Sequence, residues 1–178
     1  MSYWSSEEMT ALRATTREFV KREVLPHQDE WEREGELPRS LHVKAGELGL
    51  IGVGFPEHAG GGGSGERAAI TVAEALHEAG AAGGLYASLF TAGIACPHIV
   101  TARNQEQIDR WVAPTLAGHK IGALGITEPD GGSDVGGLRT TARRDGEDYI
   151  VNGSKTYITS GVRADFVTTA VRTGGQDN

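Results

Sequence analysis

The residues best suited to ligand chemistry form one run near the middle of the chain, Leu124-Gly125-Ile126-Thr127-Glu128-Pro129-Asp130-Gly131-Gly132-Ser133-Asp134. A short apolar strand is predicted to lead into the Thr-Glu-Pro segment, where the proline fixes φ for a turn. The two glycines that follow admit backbone conformations closed to other residues. Exposed backbone N–H groups in such a turn attract anions, such as a pyrophosphate or a phosphopantetheine arm. From these residues alone, an ordinary connecting turn is an equally good interpretation.

A second run, Asn152-Gly153-Ser154-Lys155-Thr156-Tyr157-Ile158-Thr159, is rich in β-branched and aromatic residues and is predicted to form a strand. Alternate residues of a strand share a face, so Tyr157 and Thr159 are expected to point the same way. An aromatic face can support a planar ring, and a hydroxyl can polarise an atom that gains electron density. Taken without any motif, one ordinary face of a sheet is the favoured interpretation.

Helical patterns precede both runs and must position them. Ser5 with Glu8 fits a capping box, and Asn104 with Gln107 fits an N-cap and its reciprocal partner. Apolar residues recur at helical spacing between these signals. The pattern predicts helices over 5–25, 38–49, 66–79, 81–101 and 104–117.

Beyond Lys120 the pattern changes to short strands separated by turns. Asp145-Gly146, Asn152-Gly153 and Ser160-Gly161 are turn signals, and the first two favour tight hairpins. Strands over 138–144 and 164–171 are expected to flank the others in an antiparallel meander. The prediction is an α+β fold with an all-helical N-terminal domain over 1–119 and part of a β domain over 120–178.

Composition excludes several classes of protein. With 38% hydrophobic and 23% charged residues the chain can form a core, and its net charge of -7 argues against a nucleic-acid partner. The first ten residues lack the features of a secretory signal, and no apolar run is long enough to span a bilayer. The single cysteine, Cys96, fits a reducing compartment and a buried inert thiol, so a cytoplasmic protein is predicted.

Other chemistry-bearing residues carry weaker predictions. The six histidines show no metal-ligand spacing and are expected to be solvated or capping, so no metal site is predicted. The glycine patch at 60–65 lacks a following Gly-Lys-Ser/Thr and is predicted to be a flexible connector. Glu128 is predicted to be a structural carboxylate of its turn.

The Thr-Glu-Pro-x-x-Gly-Ser-Asp run, followed at a fixed distance by Asn-Gly-Ser-Lys-x-Tyr-Ile-Thr, resembles the paired signature of the acyl-CoA dehydrogenases. Segments at 24–27, 45–50 and 56–61 are also similar to the family's helical domain, so the resemblance covers nearly the whole chain. Residues 23–34 and 121–129 are most similar to long-chain-type members. The resemblance implies a helical N-terminal domain, a central β domain and a C-terminal helical bundle that is absent from these residues.

Carried over residue by residue, the resemblance implies that FAD is bound by Leu124, Gly125, Ile126, Thr127, Ser133, Tyr157, Ile158 and Thr159. Thr127 would hydrogen-bond the flavin, and Tyr157 would replace the usual tryptophan against one face of it. Thr159 would lie near flavin N5. Ser133 would also contact the pantetheine arm of the substrate.

The implied reaction is α,β-dehydrogenation of an acyl-CoA thioester, with electrons passed to an electron-transfer flavoprotein or a similar acceptor. The family's catalytic carboxylate has no counterpart in these residues, so no catalytic residue is assigned and the isolated chain is predicted to be inactive. An acyl-CoA oxidase and a non-catalytic flavin- or acyl-CoA-binding subunit are the alternatives. A homodimer or homotetramer is implied for the full-length form.

The chain departs from the family pattern in three places. Asp130-Gly131 replaces the common Gly-Ala and places a carboxylate where anionic groups are expected. Tyr157 is a smaller platform than tryptophan. Ser160 stands where asparagine is usual, and serine tolerates positive φ less readily.

Overall fold

The computed structural model describes residues 6–174. Helices occupy the first two-thirds of this range and short strands the remainder, so the predicted α+β class is confirmed. The helices are α1 Glu7–Phe19, α2 Gln28–Glu34, α3 Arg39–Glu47, α4 Gly65–Glu78, α5 Gly83–Leu89, α6 Ala92–Ala95, α7 Pro97–Ala102, α8 Gln105–Gln107 and α9 Ala113–Leu116.

The first helix begins one residue later than predicted. Ser6 is its N-cap, and the Ser6 hydroxyl accepts from the Met9 N–H at 3.3 Å. Ser5, which the sequence predicted as the cap, lies outside the described residues. After Phe19 the helix widens into a π-helical turn, Val20–Val24, and ends ahead of Pro26. The Asn104 cap is confirmed, because its side chain accepts from the Gln107 N–H at 3.1 Å.

The core lies among the helices and is built mainly from aliphatic side chains. It continues to the start of the β region through buried Ile121 and Ala123. Its most completely buried side chains include Met9, Val20, Val24, Leu50, Val72, Leu76, Leu89, Ile108, Val112 and Ile121. The predicted helices over 38–49 and 66–79 are therefore confirmed as core elements, with Leu41, Ala45, Val72 and Leu76 buried.

The predicted helix over 81–101 is three shorter helices. α5 ends at Phe90, whose φ of -105° leaves the helical region, and Pro97 then starts α7 where a missing N–H costs nothing. The sequence pattern also missed α2, none of whose residues is buried. An exposed helix has no apolar stripe to reveal it.

The glycine patch is an ordered turn rather than the predicted flexible connector. Gly62, Gly63 and Ser64 donate backbone hydrogen bonds to the carbonyls of residues 52, 55 and 53, at 2.9, 2.8 and 3.2 Å. A Cβ added at Gly61 would lie 2.2 Å from the Phe55 carbonyl oxygen. Close backbone approach, rather than flexibility, is what this glycine provides.

Four strands are described: β1 Gly122–Gly125, β2 Thr141–Asp145, β3 Asp148–Asn152 and β4 Phe166–Thr169. β2 and β3 form an antiparallel hairpin, in which Asp145 pairs with Asp148. A tight hairpin forms where one was predicted, but Gly146 (φ 65°) and Glu147 are its loop residues, whereas Asp145 lies in β2 and has no positive φ. β1 and β4 pair in parallel, from Gly122 opposite Phe166 to Gly125 opposite Thr169.

The predicted four-stranded meander is therefore wrong, and so is the predicted strand over 154–159. Residues 153–156 have no regular structure, and a turn spans 159–163. The chain leaves the hairpin at Gly153, where an added Cβ would lie 2.4 Å from Thr140 Oγ1. Residues 155 and 156 then hydrogen-bond to the loop after β1 instead of forming a third strand, so tertiary contacts override β-propensity here.

No single helix within residues 6–174 is long and apolar enough to cross a membrane. One pair of helical stretches, α5 and Ala92–Ala102, is together long and apolar enough to cross a membrane, but a bend of 51° separates the two.

Candidate functional site

The Thr-Glu-Pro turn is built around the carboxylate of Glu128. Glu128 and Gly131 exchange backbone hydrogen bonds at 2.9 and 3.1 Å, with Pro129 and Asp130 at the two central positions. The side chain of Glu128 is only 7% exposed. Its oxygens accept from the Arg139 N–H at 2.7 Å, the Thr140 N–H at 2.9 Å and the Thr140 hydroxyl at 2.5 Å. The predicted structural role of Glu128 is confirmed.

Lys155 completes the shell of donors around Glu128. Its Nζ lies 2.8 Å from Glu128 Oε1 and 3.0 Å from the carbonyl oxygen of Ile126. The ion pair with Lys155, followed by the hydrogen bonds from Thr140 and Arg139, holds the pKa of the Glu128 carboxyl far below its usual value. Glu128 is therefore a buried anion at neutral pH, fully hydrogen-bonded, and has no free proton to exchange with a substrate.

The two motif segments meet at this ion pair. The Thr156 N–H donates to the carbonyl of Thr127 at 2.9 Å, directly beside the Lys155 contact. The predicted residues Leu124 and Gly125 lie in β1, opposite Thr168 and Thr169. Ile126 and Thr127 follow β1 and are half-buried. The structure thus brings Thr127 next to the segment that leads into Tyr157.

Tyr157 and Thr159 both carry exposed side chains, but not for the predicted reason. Tyr157 has φ 55° and lies outside any strand, so the alternation that placed it on one face with Thr159 does not apply. Its side chain is 93% exposed. Ile158 between them is half-buried, and its carbonyl accepts from the Gly161 N–H at 2.9 Å. The predicted strand register is corrected accordingly.

Backbone strain is concentrated in the same segment. Three non-glycine residues among 6–174 have positive φ: Arg103 at the end of α7, Tyr157, and Ser160 with φ 60°. Helix ends commonly use this conformation, but a tyrosine rarely does. Such strain clusters at ligand sites, where surrounding structure maintains it. Positive φ at Ser160 agrees with the resemblance, which implies an asparagine at this position, whereas nothing in the sequence predicted positive φ at Tyr157.

The turn at Gly131–Asp134 has free backbone donors. Within residues 6–174 no acceptor is found for the amides of Gly132, Ser133 and Asp134. Neither Gly131 nor Gly132 has positive φ, contrary to the expectation from sequence, and an added Cβ would meet nothing closer than 3.8 Å. Packing and conformation therefore leave space for another group to approach this backbone, as an anion-binding turn requires.

The carboxylate of Asp130, which the sequence flagged as unfavourable for an anionic ligand, is partly compensated. Arg139 Nη1 lies 2.9 Å from Asp130 Oδ2. Both side chains are more than two-thirds exposed, at 77% and 70%, so the pair is screened by solvent and contributes little to stability. Its effect is to reduce the negative charge next to the free amides.

Hydroxyl groups complete the ligand-binding capacity of this region. No partner within the described part of the chain is found for the hydroxyls of Thr127, Ser133 or Thr159. Together with the exposed ring of Tyr157 and the amides of residues 132–134, these groups fit a ligand with a planar ring and a phosphate group. Lys155 was not identified from sequence, because its partner Glu128 lies 27 residues away.

Two buried groups outside this region are inert or structural. Burial raises the pKa of the Cys96 thiol to about 12, so the predicted unreactive cysteine is confirmed. His42 is 2% exposed, which corrects the expectation that all histidines are solvated or capping. Burial and the positive charge of Arg163 both lower the pKa of His42. Among residues 6–174 no group of three or more His, Cys, Asp or Glu side chains is placed to hold a metal ion.

A separate apolar cleft of about 380 Å³ lies within the helical region. It is bordered by the loop after α3, by α4 and by the helices α5 to α7, with Phe55, Val72, Phe90 and Val100 among its lining residues. None of the predicted site residues lines it. The cleft is therefore distinct from the motif segments.

Comparison with protein families gives two adjoining matches. The N-terminal domain of acyl-CoA dehydrogenase matches residues 6–119, and the middle domain of acyl-CoA dehydrogenase matches residues 123–178. The chain belongs to the acyl-CoA dehydrogenase family. The predicted membership of this family is confirmed, and both motif segments fall within the middle-domain match.

Individual acyl-CoA dehydrogenases resemble this chain over part of their length. The mitochondrial long-chain specific acyl-CoA dehydrogenase of Sus scrofa is 42% identical over 163 residues, which are 91% of this chain and 37% of that protein. A putative acyl-CoA dehydrogenase structure from Mycobacterium smegmatis is 61% identical with a TM-score of 0.96, and the match covers 98% of this chain and 46% of the other.

A glutaryl-CoA dehydrogenase from Mycobacterium smegmatis, solved in complex with FADH2, is 32% identical with a TM-score of 0.84. The match covers 95% of this chain and 43% of that one. The 178 residues thus span less than half the length of these relatives.

Proposed function

We propose that this chain forms the N-terminal part and part of the flavin-binding middle part of an acyl-CoA dehydrogenase that oxidises an acyl-CoA thioester at its α,β bond. The observation that carries the proposal is the junction at Thr127 and Thr156, where the two family motifs meet through the Lys155–Glu128 ion pair. Family membership supports the reaction class, and the relative solved with FADH2 supports the cofactor.

FAD, when bound, would supply the acceptor for the hydride that leaves the substrate β-carbon. The residues proposed to hold it are Leu124, Gly125, Ile126, Thr127, Ser133, Tyr157, Ile158 and Thr159. The free amides at 132–134 and the Ser133 hydroxyl would bind phosphate oxygens, and Ser133 would also face the pantetheine arm. The exposed ring of Tyr157 would cover one face of the flavin, and the hydroxyls of Thr127 and Thr159 would hydrogen-bond its polar edge.

The division into a helical domain over 1–119 and a partial β domain over 120–178 is part of the proposal. So are an electron-transfer flavoprotein as acceptor, a homodimer or homotetramer in the full-length form, and a cytoplasmic location. The unpaired, buried thiol of Cys96 supports a reducing compartment. Size-exclusion chromatography with light scattering tests the oligomer, and stopped-flow reoxidation by electron-transfer flavoprotein tests the acceptor.

A chimera tests the reaction. These 178 residues replace the corresponding part of the Mycobacterium smegmatis relative, which is 61% identical over the region. The chimera is expected to retain FAD after desalting and to reduce an artificial electron acceptor anaerobically when acyl-CoA is added. A folded chimera, judged by its thermal transition, that retains no FAD would contradict the proposal. Rapid reoxidation by oxygen instead of the acceptor would identify an oxidase.

The 178-residue chain alone gives a narrower test. It is expected to quench the fluorescence of added FAD and to show no acyl-CoA turnover above the flavin-only background. Riboflavin, which has the ring but no phosphate, is the matched control ligand. Equal binding of FAD and riboflavin would mean that the amides at 132–134 bind no phosphate.

A further inference from the structure

Arg39, at the start of α3, binds Arg163 and Asp165 at the end of the turn that carries Thr159. Its Nη1 lies 2.9 Å from Asp165 Oδ2, and its Nη2 lies 3.3 Å from Asp165 Oδ1. The same Nη2 donates to the carbonyl oxygen of Arg163 at 2.8 Å. A guanidinium that makes two bonds to one carboxylate fixes its direction as well as its position.

Asp165 also binds Ile121, the residue before β1, and β1 leads into the Thr-Glu-Pro motif. The Ile121 N–H donates to Asp165 Oδ2 at 2.8 Å, and the Asp165 N–H donates to the Ile121 carbonyl at 2.8 Å. Ile121 directly precedes β1, which runs into Thr127. Hydrogen bonds to Arg39 and Ile121 both lower the pKa of Asp165, with Arg39 the larger cause. One carboxylate therefore connects α3, β1 and the turn after Thr159.

A second pair of opposite charges lies beside the first. Glu36 lies three residues before Arg39, so this segment carries a negative charge followed by a positive one. Arg163 lies two residues before Asp165, so the facing segment carries a positive charge followed by a negative one. All three side-chain nitrogens of Arg163 are buried and have no hydrogen-bond partner among residues 6–174. A buried, unpaired cation is costly.

Glu36 is an acidic residue whose negative charge acts on Arg163. Burial lowers the pKa of Arg163, the Glu36 carboxylate opposes that shift, and Arg39 adds to it. Asp165 is already engaged by Arg39 and Ile121, and Glu36 is exposed and able to change rotamer.

We propose that Glu36 and Arg39 form a two-charge clamp on Arg163 and Asp165, and that this clamp positions the turn carrying Thr159 against the flavin. The inference rests on the proposed function for its consequence, but the clamp itself does not. Glu36 and Arg39 are positioning residues, since they act only through the turn. Ser160, whose φ is 60°, lies three residues before Arg163, and its carbonyl accepts from the Arg163 N–H at 3.0 Å.

Charge reversal in the 178-residue chain tests the clamp. Glu36→Arg and Arg163→Glu are made singly and together, because the double variant restores opposite charges. Asp165 is not reversed, since its carboxylate also accepts from Ile121. Arg39→Gln and Arg39→Lys instead compare loss of the charge with loss of the two-pronged contact. Arg17→Glu with Glu78→Arg, an exposed pair at 2.7 Å between α1 and α4, is the matched control.

Two readouts separate positioning from stability. Amide hydrogen exchange of residues 158–163 is expected to be on the order of tenfold faster in Glu36→Arg, Arg163→Glu and Arg39→Gln, and to recover in the double reversal. At saturating FAD, the emission of the bound flavin is expected to rise in the single variants and to recover in the double. The control pair should alter neither.

The outcomes distinguish the clamp from the proposed function. Unchanged exchange in the single variants, or no recovery in the double, would overturn the clamp. Altered exchange with unchanged emission of bound FAD would show a purely structural contact and would overturn the positioning role. If the wild-type chain binds no FAD, the proposed function fails in this chain, while the exchange measurements still decide whether the clamp exists.

Discussion

Lys155 Nζ lies 2.8 Å from Glu128 Oε1, and this ion pair joins the two sequence motifs that lie 27 residues apart. Both side chains are largely buried, with 12% of Lys155 and 7% of Glu128 exposed. Two backbone amides and a hydroxyl satisfy the rest of the carboxylate. The pair therefore orients the loop after β1 and the segment before Tyr157 as one unit.

Removing one partner of this pair should be worse than removing both charges. Lys155→Met leaves the Glu128 carboxylate buried without its cation, so we expect a clear fall in thermal midpoint, much larger than for the exposed control Lys21→Met. Glu128→Gln with Lys155→Met removes both charges and should recover part of the loss. Differential scanning calorimetry of the wild type and these three variants measures this. A single variant no less stable than the double would contradict the pairing.

The fold could be predicted from sequence wherever a periodic apolar stripe or a turn dipeptide carried the information. The Asn104 cap, the stripe of α4 and the Gly146 turn were all found in this way. α2 was missed because none of its residues is fully buried and only Trp31 packs against the core, so it has no apolar stripe. The strand at 154–159 was predicted because local propensity favours it, but Lys155 and Thr156 form tertiary contacts that no local window reports.

For the same reason, the sequence predicted the ligand-facing residues of the candidate site but not the residues that position them. The motifs identified Thr127, Ser133, Tyr157 and Thr159, and the structure shows all four hydroxyl-bearing side chains half-buried or exposed. The residues that position these side chains carry no local sequence signal. They are Lys155, and Arg39 with Asp165, which are 126 residues apart. Charge partners far apart in sequence cannot be matched from a single chain, because every exposed acid is a candidate for every base.

Buried His42 should make stability pH-dependent. Its folded pKa lies below the unfolded value of about 6.5, so the unfolded chain binds more protons in the window between the two values. Stability should therefore fall as pH is lowered through about 6.5, with a slope of up to about 1.4 kcal/mol per pH unit from this group.

His42→Leu should remove this part of the pH dependence, measured by urea unfolding at several pH values from 7.5 to 5.5. His119→Leu, at an exposed position, is the control and should retain the wild-type slope. If His42→Leu and wild type lose stability in parallel, protonation of His42 is not linked to unfolding.

Gly132 should tolerate a methyl group in the free protein but not in the complex with FAD. It has no positive φ, and an added Cβ would lie 3.8 Å from the Thr127 side chain, so Gly132→Ala should raise stability by about 0.4–1 kcal/mol. The same methyl group would crowd a phosphate at the amides of 132–134 and lower FAD affinity. Isothermal titration with FAD and thermal unfolding measure the two effects.

Gly83→Ala is the matched control, because Gly83 also has open space and no positive φ but lies at the start of α5. It should gain stability without losing affinity for FAD. Equal FAD affinity in Gly132→Ala and Gly83→Ala would show that no phosphate approaches this turn.

Thr159→Val tests the hydroxyl proposed to face flavin N5. The substitution keeps the shape and removes a hydrogen bond to charge that develops on reduction, which contributes about 1.5–3 kcal/mol. Potentiometric titration of the FAD-loaded chimera should show a more negative flavin midpoint. Thr141→Val, an exposed threonine of β2, is the control. An unchanged midpoint together with an unchanged reduction rate would exclude Thr159 from contact with the flavin.

Tyr157 gives the sharpest separation between folding and binding. Its ring is 93% exposed, so Tyr157→Ala should change the free energy of unfolding by no more than about 0.5 kcal/mol. If the ring covers one face of the flavin, it contributes about 0.5–1.5 kcal/mol to binding beyond its buried area. Tyr157→Ala should then lose FAD on desalting and quench flavin emission less than wild type does.

Tyr157→Trp should retain FAD, because a larger aromatic ring offers the same face, whereas Tyr157→Leu keeps apolar bulk without a ring and should behave like Tyr157→Ala. Tyr149→Ala, which removes an exposed tyrosine from β3, is the matched control and should leave binding and quenching unchanged. Since the φ of 55° already exposes the ring, no rearrangement of the backbone is needed for stacking. Equal FAD retention and equal quenching in wild type and Tyr157→Ala would therefore show that the flavin lies elsewhere.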